Sequence, residues 1–167
     1  MKTILIHGLG QTAGAWNKTT ELLPQEDVLC PELSAFIGGG SYGELYSGFS
    51  GYLDELEQPL FLCGLSLGAV FRLMPEKSFA GSGLTKKQMI SLTGDMARLD
   101  FTPSLARIEC PVSIACGERD KANISAAREL ESILPQARLT VIKGAGHEIN
   151  SEAPEETARF IIQALRR

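Results

Sequence analysis

Residues 59–68 read Pro-Leu-Phe-Leu-Cys-Gly-Leu-Ser-Leu-Gly, an apolar run that stops at a serine bracketed by glycines. Pro59–Cys63 predicts a buried strand, and Gly64-Leu65-Ser66-Leu67-Gly68 fits the G-x-S-x-G turn from a strand into a helix. Such a turn bends the serine backbone sharply, so the residues two places away must be small for strand and helix to approach. The serine hydroxyl is thereby lifted clear of the sheet. The pentapeptide alone is of modest specificity, and a helix N-cap is the plain alternative for Ser66.

The two histidines of the chain sharpen this reading. His147 lies in Gly144-Ala145-Gly146-His147-Glu148, directly after the apolar run Leu139-Thr140-Val141-Ile142. His7 lies in His7-Gly8-Leu9-Gly10, directly after Ile4-Leu5-Ile6. Between Ser66 and His147 comes Val112-Ser113-Ile114-Ala115-Cys116-Gly117-Glu118-Arg119-Asp120, a strand closing on a turn that carries an acid. The chain order is therefore Ser66, Asp120, His147, the order of the α/β-hydrolase fold and of neither chymotrypsin nor subtilisin.

On these motifs the chain resembles the α/β-hydrolase superfamily, in particular its small bacterial members that begin at the strand before an H-G-x-G turn. The resemblance runs from Ile4 to about Phe160. It implies an α/β fold, a mostly parallel sheet with helices on both faces, and a triad of Ser66, His147 and Asp120. It also implies an oxyanion hole of two backbone amides. One is that of Leu67; the other is that of Leu9 or, one place on, Gly10. His7 is expected to brace that turn rather than to react. The plain alternatives are a capping role or a Lys121 partner for Asp120 and a structural role for His147.

Composition agrees with one soluble domain over 1–167, with a curtailed cap-like segment at about 75–108. At 167 residues the chain buries a core without staples. Its net charge of −4 is spread over mixed acids and bases without a basic block, which disfavours nucleic acid and anionic membrane surfaces as partners. No stretch has the length of a membrane span, and the N-terminus has no signal-peptide pattern, so the expected address is the cytoplasm. The four cysteines lie in or beside strand-like runs without C-x-x-C spacing, and read as buried free thiols. No metal or cofactor is expected.

The alternation of apolar runs and helical stripes predicts five parallel strands, at 3–6, 27–30, 59–63, 111–116 and 138–142. Helices are expected at Ala13–Leu23, with Trp16, Thr19, Leu22 and Leu23 on one face, and after the capping box Ser41-Tyr42-Gly43-Glu44. The latter carries an aromatic stripe of Tyr42, Tyr46, Phe49 and Tyr52, read as core. A second capping box, Thr85-Lys86-Lys87-Gln88, opens a cap-like helix to Leu99. Asn123–Leu134 and Pro154–Leu165 complete the set.

One shortfall stands out. The 44 residues from 67 to 110 must supply what the superfamily provides with a long helix, a further strand and a cap. The helix after Ser66 has only Leu67 to about Met74 before Pro75, and Glu76–Gly83 has no β-branched residue. A strand and most of a helix are missing, since such a unit needs roughly 30 residues. Without it the Phe61 and Ile114 strands either show apolar surface or pair directly; direct pairing is the expectation, because open edges leave backbone groups unsatisfied. Low solubility or self-association is the further expectation.

Three readings follow. The first is a serine hydrolase cleaving small carboxylic esters or thioesters through an acyl-enzyme. The second is a catalytically impaired remnant, and the third a ligand-binding module that uses the same pocket without turnover.

Overall fold

The computed structural model describes residues 1–24, 27–65, 83–100, 105 and 107–167. Ser66 and Leu67, the short helix expected after them and most of the segment 76–83 lie outside that set. The chain divides into two compact units, one of residues 1–16 and 25–99 and the other of residues 17–24 and 100–167.

The first unit is built on β1 (Lys2–Ile6), β2 (Val28–Leu29) and β3 (Leu60–Gly64), in the order β2-β1-β3 and parallel throughout. The middle strand is the most buried, and its Thr3, Ile4 and Leu5 have no exposed surface. That is what a strand paired on both edges and covered on both faces requires. β3 runs in register with β1, Ile6 opposite Gly64, and the Leu65 N–H extends the ladder to the Ile6 carbonyl (2.9 Å).

Both capping boxes form as the spacing predicts. Ser41 and Glu44 exchange bonds at the start of α2 (Tyr42–Asp54), and Thr85 and Gln88 do so at the start of α3 (Lys86–Met96). Leu45 of α2 and Met89 and Leu92 of α3 close an apolar cluster with Leu9, Leu33 and Ile37. The cap-like helix thus shares a core with the residue after His7-Gly8. Gly40 is needed at this junction: its φ is +95°, and a Cβ there would lie 2.8 Å from the Gln88 side chain. The aromatic stripe of α2 is only partly core, for Tyr46 is 63% exposed.

The second unit holds β4 (Ser113–Gly117) and β5 (Arg138–Ile142), parallel and in register from Ser113 opposite Arg138 to Gly117 opposite Ile142. Its helices are α1 (Asn17–Thr20), α4 (Ile124–Ile133), α5 (Ile149–Glu152) and α6 (Pro154–Ala164). Buried hydroxyls join three of them: Thr19 donates to the Asn150 carbonyl (3.2 Å) and Thr157 to the carbonyls of Ile149 and Ala153 (both 2.8 Å).

Three expectations need correction. Among the described residues the five strands form two sheets, β3 and β4 share no ladder, and each keeps one paired neighbour, while residues 66–82, on which part of the expected shortfall falls, lie outside that set. The helix over 13–23 is broken, a 3₁₀ turn at Ala13–Trp16 preceding α1, where Gly14 and the β-branched Thr19 and Thr20 weaken helix propagation. Leu22 is exposed as a result, while Trp16 and Thr19 are buried. Of the four free thiols only Cys116 is fully buried, and Cys110, in the turn before β4, is exposed.

Candidate active site

In a parallel sheet the C-terminal ends of all strands share one edge, so the turns that follow them are neighbours. In the first unit this rule brings together the turn after β1, His7–Gly10, and the exit of β3 at Leu65, the residue before Ser66. In the second it brings together the turn after β4, which carries Asp120, and the loop after β5, which carries His147.

The Asp120 turn and the His147 loop are joined by backbone. Glu118 N–H donates to the Ile142 carbonyl (2.9 Å) and Arg119 N–H to the Ala145 carbonyl (2.8 Å). The approach is so close that only glycine fits at 117: a Cβ there would lie 2.0 Å from the Gly146 carbonyl oxygen. Two carboxylates fasten the loop further. Glu118 accepts from the Gly144 amide (2.8 Å), while Glu152 accepts from the amides on either side of His147, Gly146 (2.9 Å) and Glu148 (3.3 Å), and from Arg119 (3.1 Å).

Within this frame His147 Nδ1 stands 2.6 Å from Asp120 Oδ2. A carboxylate only accepts, so Nδ1 carries the proton and donates it, leaving Nε2 with its lone pair. Nε2 makes no hydrogen bond among the described residues. The Asp120 side chain is 8% exposed and the His147 side chain 38%, so the acid is shut away while the imidazole keeps an open face. Asn123 Nδ2 donates to both carboxylate oxygens of Asp120, at 2.9 and 3.0 Å. Burial pulls the Asp120 carboxyl upward, but the bonds from His147 and Asn123 outweigh it and hold the group below its usual range. Hydrogen bonding of its carboxylate, first from the Gly146 amide, lowers Glu152 as well.

In the turn after β1, His7 is buried and both ring nitrogens are engaged: Nδ1 donates to the Gly8 carbonyl (2.9 Å) and Nε2 accepts from the Leu33 amide (3.1 Å). Neither is left for proton transfer. The Gly8 amide donates to Gln11 Oε1 (3.1 Å), and the Leu9 side chain is buried in the apolar cluster described above. Cys63, three residues before Ser66, is no rival nucleophile, since burial pushes its thiol up to about 12.

The structure therefore brings Asp120 and His147 into contact and sets Leu9 in a braced turn, while Ser66 and Leu67 lie outside the described residues. Sequence reading missed Asn123, Glu118 and Glu152. Asn123 sits where an asparagine reads as an ordinary helix cap, and the two glutamates lie in stretches rich in exposed charge. Only the crowding of charged residues around Gly117 and Gly146 could have drawn attention to them.

No family model matches the chain. Among curated proteins it is similar to RutD of Escherichia coli O139:H28 (strain E24377A / ETEC), a protein whose name describes a carbamate hydrolase. The two are 32% identical over 125 residues, which is 72% of this chain and 47% of that protein. The chain spans less than half the length of the curated relatives it matches. Among solved structures it resembles MGS-MChE2, an α/β-hydrolase enzyme from the metagenome of lagoon sediments at Mar Chica, Morocco, with a TM-score of 0.79 and 19% identity over 99% of this chain and 90% of that one. It also resembles a thermophilic esterase from Thermogutta terrifontis, with a TM-score of 0.69 and 16% identity over 99% of this chain and 89% of that one.

Parallel strands alternating with helices define an α/β protein. The chain belongs to the α/β-hydrolase superfamily.

Proposed function

We propose that this chain is a serine hydrolase that cleaves small carboxylic esters or thioesters through a covalent acyl-enzyme, with Ser66, His147 and Asp120 as its triad. The observation that carries the proposal is the 2.6 Å bond from His147 Nδ1 to a shielded Asp120, which fixes the tautomer whose Nε2 accepts a proton. In the first step Ser66 Oγ adds to the carbonyl carbon and passes its proton to His147 Nε2. The carbonyl oxygen becomes an oxyanion, received by the backbone amides of Leu9 and Leu67. Collapse of the tetrahedral intermediate breaks the bond to the leaving alcohol or thiol, which takes the proton back from Nε2. Water then repeats the sequence against the acyl-serine and releases the acid. Carbamates present the same carbonyl to a nucleophile, so the name of the RutD relative widens the acyl class without changing the chemistry.

The division of the strands into two sheets favours a second reading, an impaired remnant that keeps the Asp–His pair without turnover. A fluorophosphonate probe separates the two. The first reading expects wild-type labelling and hydrolysis of p-nitrophenyl acetate, both abolished in Ser66→Ala. A wild-type chain that takes no label, or a label that survives the substitution, would remove Ser66 as nucleophile.

A further inference from the structure

Asn123 occupies the N-cap of α4, the position at which an asparagine ordinarily accepts a bond from a free helix amide. Here it does not: its side chain makes no cap bond. The amide nitrogen turns back one turn instead and straddles the Asp120 carboxylate, 2.9 Å from Oδ1 and 3.0 Å from Oδ2. The same nitrogen lies 3.2 Å from His147 Nδ1, which is already donating to Oδ2. The orientation of the amide is fixed by this surrounding, because a flipped group would set its carbonyl oxygen against both carboxylate oxygens. The helix has given up a cap to supply a donor.

We infer that Asn123 is a positioning residue of the Asp120–His147 pair, holding the carboxylate in the plane that meets Nδ1 and drawing off part of its charge. The second effect has a direction. A carboxylate that shares its charge with an amide stabilises the imidazolium less, so removing Asn123 should strengthen the hold of Asp120 on a charged His147.

The neighbouring charges do not supply this effect. Among the described residues Asp120 is the acid in hydrogen-bond reach of His147. Glu118 is engaged with the Gly144 amide, and Glu152 with Arg119 and the amides of Gly146 and Glu148. Lys121 and Glu148 are exposed.

The inference rests on the proposed triad for its catalytic meaning, yet its test does not need turnover. The measurement is an NMR titration of the His147 imidazole in wild type, Asn123→Ala, Asn123→Ser and Asn123→Asp. Serine caps a helix as well as asparagine does but is too short to straddle the carboxylate, so Asn123→Ser keeps the fold where alanine fails to. Losing the amide donor should move the His147 titration measurably to higher pH in the alanine and serine variants. The aspartate variant, which puts a second carboxylate in the same place, should move it further. The Nδ1–H tautomer should persist in the neutral variants, because Asp120 still accepts. An unchanged His147 pKa in folded Asn123→Ser overturns the inference. A wild-type His147 without a preference for the Nδ1–H tautomer is a different failure, since it would remove the Asp–His pair and with it the proposed triad. If Ser66 takes no probe while the shift appears, the positioning role stands and the hydrolase reading falls.

Discussion

The turn after β1 and the loop after β5 are held by opposite kinds of force. The His7–Gly10 turn rests mainly on neutral contacts: a buried imidazole between a carbonyl and an amide, a glutamine on the Gly8 amide, and Leu9 in an apolar cluster, with the Glu32 carboxylate, 3.4 Å from His7 Nε2, as a charged neighbour. The His147 loop rests on carboxylates, with Glu118 on one amide, Glu152 on two, Arg119 tied to Glu152, and Asp120 on the imidazole itself. Apolar packing positions a backbone donor, whose partial charge is fixed. Charged groups position a side chain that must gain and lose a proton, and they do so at the cost of sensitivity to pH and to single substitutions.

The largest expected effect comes from removing the charge at the centre of that ionic network. Asp120→Asn should lower turnover of an activated ester about 10⁴-fold, because the amide stabilises the wrong tautomer and offers nothing to the imidazolium. The substitution should also lower thermal stability at neutral pH, because the ionised carboxylate is held low by its bonds to His147 and Asn123. A loss of tenfold or less would mean that Asp120 is not the acid of the triad.

Next in size is a steric break of the same network. Gly117→Ala would put a methyl carbon 2.0 Å from the Gly146 carbonyl oxygen, with backbone on both sides and no flexible side chain to yield. The strands must part or the loop must shift, at a cost of about 1–3 kcal/mol. Urea denaturation measures the loss, and amide exchange in 113–147, with the β1 amides as internal reference, locates it. Wild-type stability would show that the loop tolerates displacement and does not depend on the close approach.

A third expectation concerns acid. The Glu152 carboxyl is held below its usual value, so its contribution to stability is fully present above the ordinary glutamate pKa of about 4.3 and is lost as pH falls through the lowered native value. Asp120, also held low, adds to the same window. Glu152→Gln keeps one acceptor where two amides and an arginine need the carboxylate, and should cost about 1 kcal/mol at pH 7. The difference from wild type should shrink as pH falls through the lowered native value, where glutamate becomes protonated and resembles glutamine. A variant that is equally destabilised at both values would show that shape, rather than charge, fastens the loop.

The contrast between the two turns also explains what could be read from the chain beforehand. Periodic apolar runs and capping boxes are local, and the strands, α2, α4 and α6 appear in the structure within a residue or two of their expected bounds, while α3 ends at Met96, three residues short of the expected Leu99. The Asp120 and His147 turns were legible because each follows a strand and carries a distinctive glycine spacing. Asn123 and Glu152 were not, because their partners are backbone amides and a carboxylate set by the fold, which no sequence pattern announces. The short helix α5 escaped for a related reason: Ile149–Glu152 is too short to show a period. The expected pairing of β3 with β4 failed on a non-local matter, since a strand's own sequence does not say which edge it will meet.

The smallest effect tests the sheets themselves. Parallel strands are ordinarily covered on both faces and read as unbroken apolar runs. Leu60–Cys63 reads that way, yet Leu62 is 50% exposed, and in the other sheet Val141 is 45% exposed. Each sheet thus shows one apolar side chain in the open. Leu62→Thr introduces a β-branched residue suited to a strand while removing the apolar tip, so stability should stay within about 0.5 kcal/mol of wild type. We propose that these exposed side chains, each on its own sheet, drive self-association, as exposed apolar groups do. Sedimentation velocity across a concentration series should show less association in Leu62→Thr, and less again in the double variant with Val141→Thr. An unchanged series would mean that neither residue lies in a contact between copies, and a large loss of stability would mean that Leu62 belongs to a core.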